Sequence, residues 1–140
     1  MKKKDVKKMK AKYETLSLTD VSGIKEGNVL FVDFGEIDGT HLQKGLRPAI
    51  VLGHPQILGF SNAPTVQVVP VTASNKLKGI HIKLEDSVFN RISYAIPEQI
   101  TTIDVRQIQN IKGSISLASM NKIKKAIYRQ LGLKLLKETL

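Results

Sequence analysis

The sequence predicts a small, mainly β domain: a barrel of five or six short strands with one α-helix packed against it at the carboxyl end. Three observations carry this expectation. Short β-branched and aromatic runs recur through the middle of the chain, separated by glycine-bearing loops. The end of the chain switches to apolar residues spaced by three and four. The length of 140 residues suits one domain with one sizeable core.

The elements follow in order. Residues 1–16 have helical spacing, with Val6, Met9 and Tyr13 on one stripe. Residues 17–28 contain Gly23 and Gly27 and read as a linker. The expected organisation is therefore a basic extension over 1–26 and a folded domain over 27–140. Residues 28–34, NVLFVDF, predict the first strand. Residues 35–46 carry Gly35, Gly39 and Gly45 and are too polar for regular structure; a connection of this length is usually functional or mobile. Residues 47–52, RPAIVL, read as a buried strand, with Pro48 tolerated near its start. A second loop covers 53–64. Residues 65–71, TVQVVPV, predict a strand with Pro70 near its end, and 80–84, IHIKL, alternate as a half-exposed strand does. Residues 93–99 and 100–105 predict a strand, a bend at Pro97 and a second short strand; 112–115 can add one more. Ser116 or Ser119 can then cap a helix. Met120, Ile123, Ile127 and Leu131 form its apolar stripe, opposite Lys122, Lys124, Lys125 and Arg129. Gly132 weakens that helix, and residues 133–140 can continue it.

Composition narrows the function. Hydrophobic residues make up 41% and charged residues 24%, as in ordinary globular proteins. The chain has no cysteine, which excludes disulfides, cysteine-ligated zinc and a cysteine nucleophile, and fits a reducing compartment. No apolar run approaches the ~20 residues that span a bilayer, and the start lacks the ~7–15-residue apolar segment of a secretory signal. A cytoplasmic protein with no membrane partner is expected. The net charge of +10 points to an anionic partner. Seven lysines against one aspartate in residues 1–12 place +6 of that charge in the tail and +4 elsewhere. Such a tail can grip RNA phosphates or simply keep the chain soluble; in either case it adds no sequence specificity.

Few side chains can do chemistry. The three histidines are His41, His54 and His81. His81 lies within an alternating strand and suits a structural or hydrogen-bonding role. His54 follows the RPAIVL strand and can sit at a barrel rim. His41 lies in the long polar loop, ahead of Arg47. Arg47 opens a buried strand, so its guanidinium is expected at the barrel edge, where a planar fork suits a phosphate or an acidic neighbour. Thr72 and Ser74 end the third strand and can donate to phosphate oxygens. Glu98 follows Pro97 at a bend, as a proton acceptor or as a partner for Arg47. There is no metal-ligand cluster and no glycine-rich phosphate loop.

Taken together, residues 27–133 resemble the MazF/PemK family of toxins. GNVLFVDFG is similar to the opening strand of that family, and KGLRPAIVL to the G-x-R-P strand after its first loop. TVQVVPVTAS resembles the strand that ends in a catalytic-side threonine. PEQITTID resembles the E/D-Q-x-R-T-I-D segment, and LASMNKIKKAIYRQLGL the terminal helix. HLQKGLRP further resembles the PemK/Kid branch, in which a loop histidine precedes G-x-R-P. Two positions depart. Thr101 and Ile96 stand where arginines are found in Q-x-R-T-I-D and in the PemK/Kid branch, which lowers the positive charge expected of the site.

The resemblance implies an SH3-like barrel, a homodimer, and sequence-selective cleavage of single-stranded mRNA without metal or cofactor. It implies an acidic, partly disordered cognate antitoxin, with DNA engaged only indirectly through that antitoxin. Carried over by position, Arg47 and Thr72 match the catalytic arginine and threonine. His41 and Glu98 would then share general acid and base work. Lys44, Gly45, Ser74, Lys76, Gln99 and Thr101 are expected to contact RNA. The implied reaction is attack by the ribose 2′-hydroxyl on its own phosphodiester. Phe31, Phe60, Phe89 and Tyr94 are the candidate base-stacking residues, few because aromatic content is 5%; Phe31 is expected to face the core. Two other functions share the fold class. A CcdB-like gyrase poison relies on a tryptophan near the carboxyl end, and this chain has none. A non-catalytic SH3-like RNA- or protein-binding module would leave RNA uncut.

Overall fold

The computed structural model describes residues 23–36, 39–55, 64–74 and 81–133. The helix expected over 1–16, Phe60, Lys76 and residues 134–140 lie outside them. The described residues form seven strands: β1 (Asn28–Asp33), β2 (Leu46–Val51), β3 (Thr65–Thr72), β4 (Ile82–Leu84), β5 (Ser93–Ala95), β6 (Thr101–Asp104) and β7 (Ile108–Ser114). Helix α1 (Leu117–Gln130) follows. The strand order is β4-β5-β3-β2-β1-β7, with β6 also pairing β3, and every pairing is antiparallel. The architecture is mainly β with a carboxyl-terminal helix, as expected. The sheet is not closed: β4 and β7 end the ladder without pairing each other. Among the described residues no helix is long and apolar enough to cross a membrane.

Alternation along the strands builds two apolar clusters. Leu30, Val32, Ala49, Val51, Val66 and Val68 gather on one side with Ile103 and Ile108. Val29, Ile50, Val69, Val71, Leu84 and Ala95 gather on the other, beneath Met120 and Ile123 of α1. Burying each such aliphatic side chain contributes about 1.5–3 kcal/mol. Ser116 caps α1 by accepting from the Ser119 N–H. Asp86 accepts from the Ser116 N–H at 2.8 Å and the Ser119 hydroxyl at 2.7 Å, which anchors the helix start to the β4–β5 connection. Lys124 pairs with Glu26, which also accepts from the Gly53 N–H. The other end of α1 stops at Gly132, whose φ of +67° lets Leu133 N–H reach Tyr128 O and Gly132 N–H reach Arg129 O. The helix therefore does not run on through Gly132, and Leu131 lies past its last turn, 53% exposed.

Two prolines shape the edge of β3. The chain from β5 to β6 runs along that edge, and Ile96 N–H donates to Pro70 O at 2.9 Å. The reciprocal ladder bond cannot form, because Pro70 has no N–H. Ile96 O instead accepts from Gln99 N–H at 3.0 Å, and with Pro97 at its first position the chain makes a 3₁₀ turn over Pro97–Gln99. That turn presents Glu98 and Gln99. A second turn, Val105–Gln107, is set by a capping box between Asp104 and Gln107.

Strand β7 begins earlier than the sequence suggests. Gln109, Asn110 and Gly113 are poor strand formers, yet β1 supplies a full partner edge. A register shift leaves Lys112 as an extra residue beside Gly113, whose φ of +151° no other residue adopts readily. Lys112 Nζ then lies 4.8 Å from the centroid of the Phe31 ring. Phe31 is half-buried and not part of either core cluster, which corrects the expectation that it faces the core.

Candidate active site

The loop between β1 and β2 is pinched at its base. Asp33 Oδ1 accepts from Gly35 N–H at 2.8 Å. Phe34 N–H donates to Gly45 O at 2.9 Å, and Gly45 N–H to Gly35 O at 2.7 Å. Gly35 and Gly45, with φ of +76° and +73°, allow the two turns. The backbone of Gly45 is thus committed to the loop neck. Further out, the Gln99 amide clamps the loop to the 3₁₀ turn. Its Nε2 donates to His41 O, and its Oε1 accepts from Gln43 N–H, each at 2.9 Å. Gln99, expected on the RNA, spends both ends of its amide on positioning the segment that carries His41. His41 itself is exposed, as are Lys44 and Arg47.

Arg47 is oriented by its own loop: Nε donates to Lys44 O at 3.2 Å. None of the described ion pairs involves it. The alternative partner considered for it, Glu98, pairs elsewhere. Thr72 Oγ1 accepts from Ser74 N–H at 3.2 Å, which orients the hydroxyl and leaves its hydrogen to donate. Ser74 is exposed just past the strand.

The β2–β3 pairing runs from Val51–Val68 to Ala49–Pro70; continued by two residues, that register would set Arg47 across from Thr72. Thr72 pairs directly with Tyr94 of β5, and Tyr94 with Lys83 of β4. Val71 and Ala95, their neighbours in sequence, belong to the cluster under α1. Arg47, Thr72, Tyr94 and Lys83 therefore form one cross-strand row on the face away from the helix. At about 4.8 Å per strand the row spans roughly 14 Å. Beside it opens a cleft of ≈ 180 Å³, lined by Leu42 and Gln43 of the loop, Pro70 of β3, and Gln99, Thr101 and Thr102 at the start of β6.

Glu98 lies in the 3₁₀ turn next to Gln99 of the cleft, with its side chain 37% exposed. Its Oε1 lies 3.1 Å from His81 Nε2. The His81 side chain is 8% exposed, whereas His41 and His54 are exposed residues. His54 follows the carboxyl end of β2, the opposite end from Arg47, and is apart from the site. Ile96 is 1% exposed and fills core volume. Thr101 is exposed and faces Val68 in the ladder. Phe89 is half-buried and packs against the cluster under α1, away from the row, whereas Tyr94 is half-exposed in the row. Sequence reasoning did not find the row residue Lys83 or the partnership of His81 with Glu98. The alternation of IHIKL was the available signal for the first.

This arrangement places a cationic fork, an oriented hydroxyl, an aromatic ring and a second cation in line, and it pairs the Glu98 carboxylate with the His81 imidazole on the turn that follows β5. Such a row suits a chain of phosphates carrying bases.

The family model of the PemK-like, MazF-like toxins of type II toxin–antitoxin systems matches residues 25–131. Solved structures share the fold. A MazF from Deinococcus radiodurans superimposes with a TM-score of 0.66 at 20% identity, covering 79% of this chain and 97% of that one. An endoribonuclease from a mycobacterial species, in complex with its cognate antitoxin, gives 0.63 at 20% identity over 81% of this chain and 100% of that one. The Mycobacterium tuberculosis toxin MazF-mt6 gives 0.59 at 17% identity over 77% and 99%.

Proposed function

Since the chain belongs to the PemK-like, MazF-like toxins of type II toxin–antitoxin systems, we propose that it is a metal-independent endoribonuclease that cuts single-stranded mRNA at short sequences. The 2′-oxygen forms a bond to the adjacent phosphorus, and the bond from phosphorus to the 5′-oxygen breaks. One proton leaves the 2′-hydroxyl and one reaches the departing 5′-oxygen. The products are a 2′,3′-cyclic phosphate, or the 3′-phosphate after its hydrolysis, and a 5′-hydroxyl. The nucleophile belongs to RNA, so DNA is not a substrate.

Arg47 stabilises charge on the phosphate oxygens and Thr72 donates a hydrogen bond to them; loss of one such donor costs about 3–4 kcal/mol. His41 and Glu98 divide the proton transfers. Tyr94 offers a ring for one base, and Lys44 and Lys83 contact neighbouring phosphates. The single observation that supports this reading is the β2–β3 register ending at Ala49–Pro70, which, continued by two residues, would set Arg47 across from Thr72. By the same reading the chain acts as a homodimer and is neutralised by a cognate antitoxin, and it meets DNA only through that partner. The mycobacterial endoribonuclease bound to its cognate antitoxin supports the antitoxin partnership.

The test is incubation of the purified protein with varied single-stranded RNAs in EDTA, followed by mapping of both ends. Cleavage leaving 5′-hydroxyl ends is expected. RNA that stays intact across sequences would overturn the reading in favour of a binding module.

A further inference from the structure

His81 is the buried histidine of the described three. Its Nε2 faces Glu98 Oε1 at 3.1 Å, and its Nδ1 is buried with no hydrogen-bond partner among the described residues. Each proton arrangement of the ring can be weighed against those two facts. An imidazolium would bury an unpaired Nδ1–H. The neutral tautomer protonated on Nδ1 would do the same and would also set the Nε2 lone pair against a carboxylate. The neutral tautomer protonated on Nε2 donates to Glu98 and leaves only the Nδ1 lone pair unmet, with no buried N–H orphaned. The strands fix this placement. Ile82 pairs with Ala95 across β4 and β5, so one further step sets His81 across from Ile96, two residues before Glu98. The turn that carries Glu98 is held from two other sides as well. Gln130 Nε2 of α1 donates to Pro97 O, and Gln99 N–H donates to Ile96 O.

We propose that His81 is a positioning residue for RNA cleavage: its Nε2–H holds one oxygen of Glu98 and leaves the other for proton transfer at the ribose. This rests on the reading of Glu98 as a proton-transfer group. The side chain that fixes Glu98 is thus neither Arg47 nor His41, and His81 itself touches no substrate.

Single-turnover cleavage of single-stranded RNA, measured over a range of protein concentrations, tests this with three variants. His81→Leu keeps the volume and removes the donor; the limiting rate should fall about tenfold or more, with half-saturation within about twofold of the wild type. His81→Gln places an amide N–H near the lost Nε2 and should recover most of that rate. Glu98→Gln separates the two claims. If Glu98→Gln is impaired and His81→Leu is not, the role of His81 is overturned while that of Glu98 stands. If Glu98→Gln cleaves at the wild-type rate, the reading of Glu98 fails and this inference fails with it. Nitrogen-15 NMR of the wild type gives a measurement independent of any variant. A neutral His81 protonated on Nε2 is expected; an imidazolium or an Nδ1–H tautomer at neutral pH would overturn the proposal.

Discussion

Removal of the Gln99 amide isolates the contribution of the loop clamp. Gln99→Leu keeps most of the side-chain volume and deletes two hydrogen bonds, to His41 O and from Gln43 N–H, each 2.9 Å long. Both are neutral and partly exposed, so each contributes about 0.5–1.5 kcal/mol, and the pair about 1–3 kcal/mol. The neck bonds between Gly35, Phe34 and Gly45 remain, so the loss is confined to the outer part of the loop. A change of about 1–3 kcal/mol is roughly 5–150-fold in the ratio of docked to undocked loop. Amide hydrogen exchange reads this directly: protection of the Gln43 N–H should fall by about that factor, while strand amides in β1 and β3 keep theirs. Cleavage should fall with it, by no more than the same factor, because His41 rides on the released segment. Unchanged exchange at Gln43 would refute the clamp. Lost protection with undiminished cleavage would remove His41 from the chemistry.

Two further predictions concern the helix start and the row. Burial alone would raise the Asp86 carboxyl, but the bonds from Ser116 N–H and from the Ser119 and Ser116 hydroxyls outweigh it and hold the group below its ordinary 3.8. Its stabilising contribution is therefore present above that value and lost as pH falls through the lower folded value; Asp86→Ala should lower the midpoint of thermal unfolding near neutral pH by an amount equivalent to about 1–2 kcal/mol, and the gap from wild type should close in acid, whereas a gap independent of pH would contradict the assignment. Tyr94→Ala should weaken binding of single-stranded RNA by about 1–3 kcal/mol in a titration, and Tyr94→Phe should retain affinity; equal affinity for all three would remove the stacking platform.

The parts of the fold that could be read in the sequence are those in which local pattern and final burial agree. NVLFVD and TVQVVPVT are strand formers that end in buried strands, and the stripe through Met120 and Ile123 lies on the core. Strand β7 was legible only at its end, because Gln109 and Asn110 are strand residues by virtue of β1 alone. The bend at Pro97 was legible from the proline itself, but its docking on β3, where Ile96 N–H donates to Pro70 O, joins distant residues and lies in no local pattern. The site divides in the same way. Arg47 and Thr72 were found from segment likeness, and the β2–β3 register, continued two residues beyond Ala49–Pro70, would set them across from each other. Glu98 was found, but its partner was not: His81 lies 17 residues away. Its alternation spoke for a strand and not for what the imidazole would meet. Gln99 read as an RNA contact because an exposed amide and a clamping amide are indistinguishable in sequence.

The central claim is that Arg47 and Thr72 act on one phosphate, and a double-mutant cycle measures that most directly. Single-turnover cleavage is compared for the wild type, Arg47→Lys, Thr72→Ala and the double variant on one RNA in EDTA. Groups that share a transition-state phosphate should couple, with the double variant departing from the sum of the singles by about 0.5–3 kcal/mol. Barrier changes that add within about 0.5 kcal/mol would show the two side chains acting independently and would contradict the account.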